Sequence, residues 1–138
     1  MRRNPENKGA TTDSVGYGTT RKSEIRVNMP AEADDDYVRQ FAQAALGLVN
    51  PDLRVYVEYS NEVWNGGYAA AWYAQAQGLA LGLSQNAFEA QIRFHARRSR
   101  EIFGIWEQVF PKARLVRVLG PVHPQARHLS HFGSLHAA

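Results

Sequence analysis

The chain contains no cysteine. That excludes a disulfide framework, a thiolate nucleophile and any cysteine-based metal site, and it leaves the redox compartment unassigned. No apolar run approaches the ~20 residues that a membrane helix needs. Arg2 and Arg3 are not followed by an apolar stretch, so no export or anchoring signal is expected in these residues, and localisation stays unassigned. Strong charge of one sign is also missing. A net charge of +3 is too mild to demand nucleic acid or another polyanion as partner. No internal repeat is visible. What is present is 138 residues that are 44% hydrophobic and 11% aromatic, enough for one domain with a real core.

Residues 1–23 are rich in Arg, Asn, Gly, Thr and Ser and nearly without apolar side chains, so we expect a leader with too little to bury to offset its ordering entropy. Ile25 to Met29 reads as a short, weak strand or extended entry closed by Pro30. Asp34 suits an N-cap, with Asp35 and Asp36 in the first turn where carboxylates favour the helix dipole. Tyr37, Val38, Phe41, Ala42, Ala45, Leu46 and Leu48 then follow at spacings of three and four, the stripe of an amphipathic helix that Asn50-Pro51 ends. An Ala-rich second helix is expected over Tyr68 to Gln77, its end weakened by Gly78 and Gly82. Ser84 is placed to cap a longer helix whose stripe is Phe88, Ile92, His95, Ser99, Ile102, Trp106 and Val109. Arg93, Arg97, Arg98 and Arg100 read as its solvated face. Leu115 to Leu119 is a further strand, ended by Gly120-Pro121, and residues 121–138 read as a loose tail.

The stretch from Leu53 to Asn65 is different in kind. Val55, Val57 and Tyr59 alternate with Tyr56, Glu58 and Ser60, as in a strand, and the pattern runs directly into Asn61, Glu62, Trp64 and Asn65. Two carboxylates four residues apart on a strand that rises ~3.3 Å per residue are too far apart for a shared proton, yet both can face one cavity. Strands alternating with helices imply βαβ units and parallel pairing. Two or three strands alone leave edges and a face uncovered, so the α/β segment is expected to belong to a larger barrel or sheet.

The string Tyr56-Val57-Glu58-Tyr59-Ser60-Asn61-Glu62-Val63-Trp64-Asn65, preceded by Asn28-Met29-Pro30 and Ala33 to Val38, resembles a family of bacterial glycoside-hydrolase-like (β/α)8 barrels, often called cellulose-binding-domain proteins. It shares its Asn-Glu step with the clan of retaining glycosidases. The resemblance spans about Val27 to Gly120. It implies a partial (β/α)8 TIM barrel, about strands three to five with their helices, over residues 24–120. It also implies that Glu62 is the catalytic acid/base and that Asn61 holds the sugar 2-hydroxyl. Trp64 is suited to stack on a pyranose ring, with Asn65 and Tyr68 as further sugar contacts and Glu58 as a supporting group. The clan's nucleophile belongs to a later strand, so the chain alone is expected to be inactive, with truncation or a frame change as one explanation. No cofactor or metal is implied. Polysaccharide or oligosaccharide is the expected partner, nucleic acid and membrane are not, and unpaired barrel edges are an expected route to self-association.

Plainer readings stand beside these. Glu62 suits a helix start, and Trp64, Trp72 and Trp106 have the burial tendency of packing residues. His95, on an apolar stripe, reads as a hydrogen-bonded core histidine. His123, His128 and His131 have a metal-like spacing with no carboxylate or helical period to support a site. Three functions remain in view: a glycosidase segment, a non-catalytic carbohydrate-binding or scaffold module, and a basic protein whose arginine-rich helix binds nucleic acid. The last lacks interleaved aromatics.

Overall fold

A computed structural model describes residues 24–120; the expected leader, the tail and the histidines at 123, 128, 131 and 136 lie outside the described residues. Three parallel strands, β1 (Ile25–Met29), β2 (Val55–Tyr59) and β3 (Leu115–Val118), pair in chain order with β2 central. Val57 lies opposite both Val27 and Arg117 in the ladder. Helix α1 (Asp35–Leu48) connects β1 to β2, and α2 (Ala69–Ala80) and α3 (Ala87–Val109) connect β2 to β3. The unit is therefore a mixed α/β arrangement of three parallel strands and three helices.

The strand alternation sorts the two faces of β2. Val55, Val57 and Tyr59 are buried in one core with Met29, Val38, Ala42, Phe94, Ile102, Trp106 and Phe110. The opposite face carries Arg26, Asn28, Tyr56, Glu58, Val116 and Val118, all exposed or half-buried. On it the Tyr56 hydroxyl donates to Glu24 Oε1 at 2.5 Å, and the Arg26 guanidinium lies over the Tyr56 ring.

Asp34 caps α1 as expected, its Oδ1 accepting from the Tyr37 amide at 2.8 Å. The buried stripe is narrower than the sequence spacing suggests. Only Val38, Ala42 and Ala45 are buried, while Tyr37, Phe41, Leu46 and Leu48 stay exposed, because the sheet and α3 cover one side of α1 only. The cap of α3 is Asn86 rather than Ser84: Asn86 Oδ1 accepts from the Glu89 amide at 2.9 Å. Ser84 stands two residues earlier, accepting from the Asn86 amide and donating to Glu89 Oε2. The buried surface of α3 is wider than its predicted stripe. Ala90, Gln91, Phe94 and Ile105 join Ile92, Ser99, Ile102 and Trp106, since α1, α2 and the sheet all pack against this helix.

Gly78 does not weaken the end of α2; it lies inside the helix. A Cβ there would stand 2.1 Å from the Ala90 carbonyl oxygen, so the close crossing of α2 and α3 requires glycine. Gly82, at φ +65°, terminates α2: its amide donates to the Leu79 carbonyl, and Leu83 N–H donates to the Gly78 carbonyl, a Schellman closure. Two other expectations change. Arg98 is not on a solvated face; its side chain is 12% exposed, donating to Asp35 Oδ1 (2.7 Å), Glu101 Oε2 (3.0 Å) and the Ala33 carbonyl (2.8 Å). It fastens α3 to the start of α1. Trp72 is not packed but 60% exposed, whereas Trp106 is fully buried.

Candidate functional site

Helix α3 runs back along the sheet, which its contacts fix. Its C-terminal flank reaches the start of β2, where Arg114 donates to the Leu53 and Asn50 carbonyls. Its N-terminal half reaches the end of β2, where Gln91 donates to the Val63 carbonyl and His95 Nε2 lies 3.1 Å from the Tyr59 carbonyl. Open parallel sheets present their ligand crevices at the carboxyl ends of the strands, and here that end carries the polar cluster.

Tyr59 is the last residue of β2, its ring buried and its hydroxyl donating to the Ala31 carbonyl at 2.7 Å. Burial pushes that phenol well above the usual tyrosine range. The Ser60 amide adds one more parallel bond, to the Met29 carbonyl at 2.8 Å. The chain then leaves the strand through two left-handed residues, Ser60 at φ 52° and Glu62 at φ 53°, on either side of Asn61. Neither is glycine, and such residues cost on the order of 1–3 kcal/mol each unless their surroundings hold them. The surroundings do so. Val63 is buried in the core beneath the loop and its carbonyl is held by Gln91. The Asn65 amide donates to the Glu62 carbonyl at 2.8 Å, and Asn65 Nδ2 donates to Glu62 Oε2 at 3.1 Å. Asn65 Oδ1 in turn accepts from the Gly67 amide at 3.0 Å.

This loop borders a cleft of about 140 Å³. Glu58, Ser60, Asn61, Glu62 and Trp64 form one side; Ile92 and His95 of α3 and Gly120 after β3 form the rest, with Val63 beneath. The His95 ring stacks on the Tyr59 ring at 5.6 Å between centroids. With the Tyr59 carbonyl as acceptor, Nε2 is assigned the proton. Burial lowers the His95 pKa, against a smaller opposing pull from the Tyr59 carbonyl, so the imidazole entering the cleft is neutral at pH 7. Glu58 lies against Gly120: a Cβ at that glycine would fall 2.9 Å from Glu58 Oε1, so a larger residue there requires the carboxylate to shift.

No family model, curated protein or solved structure matches this chain. The site is therefore read from its own geometry.

The structure brings Glu58, Asn61, Glu62 and Trp64 of the sequence-predicted set into one cleft. Asn65 joins it through Glu62, and Tyr68 does not line it but stands exposed at the head of α2. His95, Ser60 and Gly120 line the cleft without having been predicted to. The histidine was legible only as a core residue, because its place at the end of β2 depends on which way α3 runs. Among the described residues no group of three or more His, Cys, Asp or Glu is placed to hold a metal ion, and no helix is long and apolar enough to cross a membrane. The cleft offers two carboxylates, an amide, a hydroxyl, a neutral imidazole and an indole. Its volume lies below the ~300 Å³ at which drug-sized pockets begin, so one ring or the end of a chain fits it better than a dinucleotide. Hydroxyl-rich neutral ligands match that inventory.

Proposed function

We propose that this unit is an arc of a (β/α)8 barrel, about its third to fifth strands, and that it carries the acid/base half of a glycoside-hydrolase site acting on polysaccharide. The observation that supports this reading best is Glu62. It stands just past the carboxyl end of a parallel strand, on a left-handed backbone held by neighbouring hydrogen bonds, with its carboxyl in a cleft beside Asn61 and Trp64. Catalytic groups of such barrels occupy that end of the strands. Parallel order and one exposed sheet face fit an arc whose open side is the barrel interior.

In this proposal Glu62 protonates the glycosidic oxygen as it leaves and then takes a proton from the incoming water. Asn61 binds the sugar 2-hydroxyl and Trp64 lies against the pyranose face. A retaining mechanism needs a second carboxylate ~5–5.5 Å from the first. Glu58, near the end of β2 and lining the same cleft, supports the site, and the nucleophile comes from a later strand outside the described residues. The described unit by itself then binds sugar without cleaving it. In the full-length protein, Glu62→Gln is expected to lower polysaccharide hydrolysis by roughly 10²–10⁴-fold with sugar binding kept; undiminished hydrolysis sinks the assignment.

A non-catalytic carbohydrate-binding module is the second reading, favoured by the exposed Tyr68 beyond the cleft. It predicts sugar binding in a full-length protein that has no hydrolytic activity for Glu62→Gln to remove.

A further inference from the structure

Gln91 and His95 stand four residues apart on α3, and so on one face of that helix. Both donate to main-chain carbonyls that flank the turn after β2: Gln91 to that of Val63, and His95, through Nε2 at 3.1 Å, to that of Tyr59. The order is crossed, the earlier helix residue holding the later loop residue, as the opposed directions of α3 and β2 require. Arg98, three residues further on the same face, donates to the Ala33 carbonyl at 2.8 Å and holds the loop between β1 and α1.

An amide at position 91 is not what packing alone selects. Gln91 is 4% exposed, on a stretch of α3 where Ala90, Ile92 and Phe94 are buried too. A buried amide costs stability unless it is hydrogen-bonded, a penalty that leucine would not meet there. What the amide adds is its hold on Val63. The imidazole is itself fixed in place, stacked on the Tyr59 ring at 5.6 Å between centroids.

Spacing makes the pair a clamp. Gln91 and His95 lie ~6 Å apart along the helix axis. Val63 follows Tyr59 by four residues, which in extended chain would span ~13 Å. Both bonds form together because Ser60 and Glu62, at φ 52° and 53°, fold the chain back between them. A relaxed, extended segment would have to release one of the two. The bonds therefore favour the turned form, and they do so without engaging a side chain of the turn. Their acceptors are main-chain carbonyls, while Ser60, Asn61 and Glu62 line the cleft.

We propose that Gln91 and His95 are positioning residues for Glu62, a two-point clamp on α3 that keeps the Ser60–Glu62 turn left-handed and so holds the carboxylate in the cleft. Their role in catalysis rests on the reading of Glu62 as acid/base; their hold on the turn rests on the geometry alone.

NMR on the full chain tests the clamp without any ligand. In the wild type the His95 ring nitrogens should report the Nε2–H tautomer, and the couplings at Ser60 and Glu62 the left-handed φ. An Nδ1–H tautomer, whose Nε2 cannot donate to Tyr59, overturns the clamp with no variant needed. Gln91→Met and His95→Leu each remove one donor and are expected to move Ser60 and Glu62 toward ordinary negative φ, with the resonances of Val27 and Val57 unshifted. His95→Gln, which keeps a donor, retains the turn. Left-handed φ preserved in both donorless variants overturns the clamp. In the full-length protein the donorless variants are expected to lower kcat for polysaccharide hydrolysis about 10²-fold, the scale of a ~1 Å misplacement, with KM little changed. Lower stability with kcat unchanged leaves the two side chains as partners of buried carbonyls only and overturns their role at Glu62. If the full-length wild type hydrolyses no polysaccharide, the Glu62 reading falls, while tautomer and turn still decide the clamp.

Discussion

The two ends of β2 are built to opposite specifications. At the amino end, Arg114 lies 4.8 Å over the Phe110 ring and donates to the Leu53 and Asn50 carbonyls, while Asn50 Oδ1 accepts from the Asp52 amide. Backbone groups there are satisfied by a cation over a packed aromatic, and among the described residues no left-handed non-glycine residue occurs at that end. At the carboxyl end, two departures from ordinary backbone conformation, at Ser60 and Glu62, bracket Asn61, and polar side chains meet over a cleft rather than a core. Strain of that kind persists where surrounding structure holds it, and it gathers at functional sites. The amino end is closed by hydrogen bonds to backbone carbonyls; the carboxyl end opens into a polar cleft.

That contrast breaks most visibly by substitution at the stable end. Phe110→Ala removes a ring that is 2% exposed and packed on Trp106 at 5.7 Å, and is expected to cost about 3–5 kcal/mol in a urea melt. Where the variant is folded, its sugar affinity should match wild type; a change in affinity would show that the two ends are coupled. Arg114→Met should cost about 1.5–3 kcal/mol, as expected for lost hydrogen bonds from a charged group, again with binding unmoved. At the other end the sign reverses. Ser60→Gly relieves a left-handed serine and is expected to leave stability unchanged or raise it by about 1 kcal/mol. It also frees the Asn61–Glu62 turn, so sugar binding should weaken. Stability gained with binding intact would mean that the strain has no bearing on the site.

The smallest effect is a pH dependence. Burial holds the His95 pKa below its unfolded value, so below about pH 6.5 the unfolded chain takes up a proton that the folded chain resists. The His95 contribution to stability is therefore complete above that pH and declines as pH falls toward the folded pKa. Urea midpoints measured from pH 7.5 to 5 should drop more steeply for wild type than for His95→Gln; parallel slopes would remove His95 as the titrating group.

Much of the fold was legible because its elements obey local rules. The alternation of Val55, Val57 and Tyr59 marks the central strand, and Asp34 marks the start of α1. Errors arose where a residue's role depends on a partner distant in sequence. Gly78 reads locally as a weakening of the helix end, whereas Ala90 occupies the space of its missing side chain. Arg98 looked like surface charge, though its partners Ala33 and Asp35 lie more than sixty positions away. Trp72 looked like core because indoles are usually buried, and nothing local records that α3 covers the other side of α2. In the site, the Asn61–Glu62–Trp64 cluster is local to β2 and was readable. The place of His95 followed only from the path of α3, and the left-handed φ at Ser60 and Glu62 carries no glycine to announce it.

The central claim is that the carboxyl end of β2 is a sugar site, and amide-resolved NMR titration of the full chain with a soluble cello-oligosaccharide tests it most directly. Shifts concentrated on Ser60 to Asn65, the Trp64 indole and the His95 ring, with Leu53 and Asn50 at the opposite end silent, are the predicted result. No shifts, or shifts clustered away from the cleft, would contradict it.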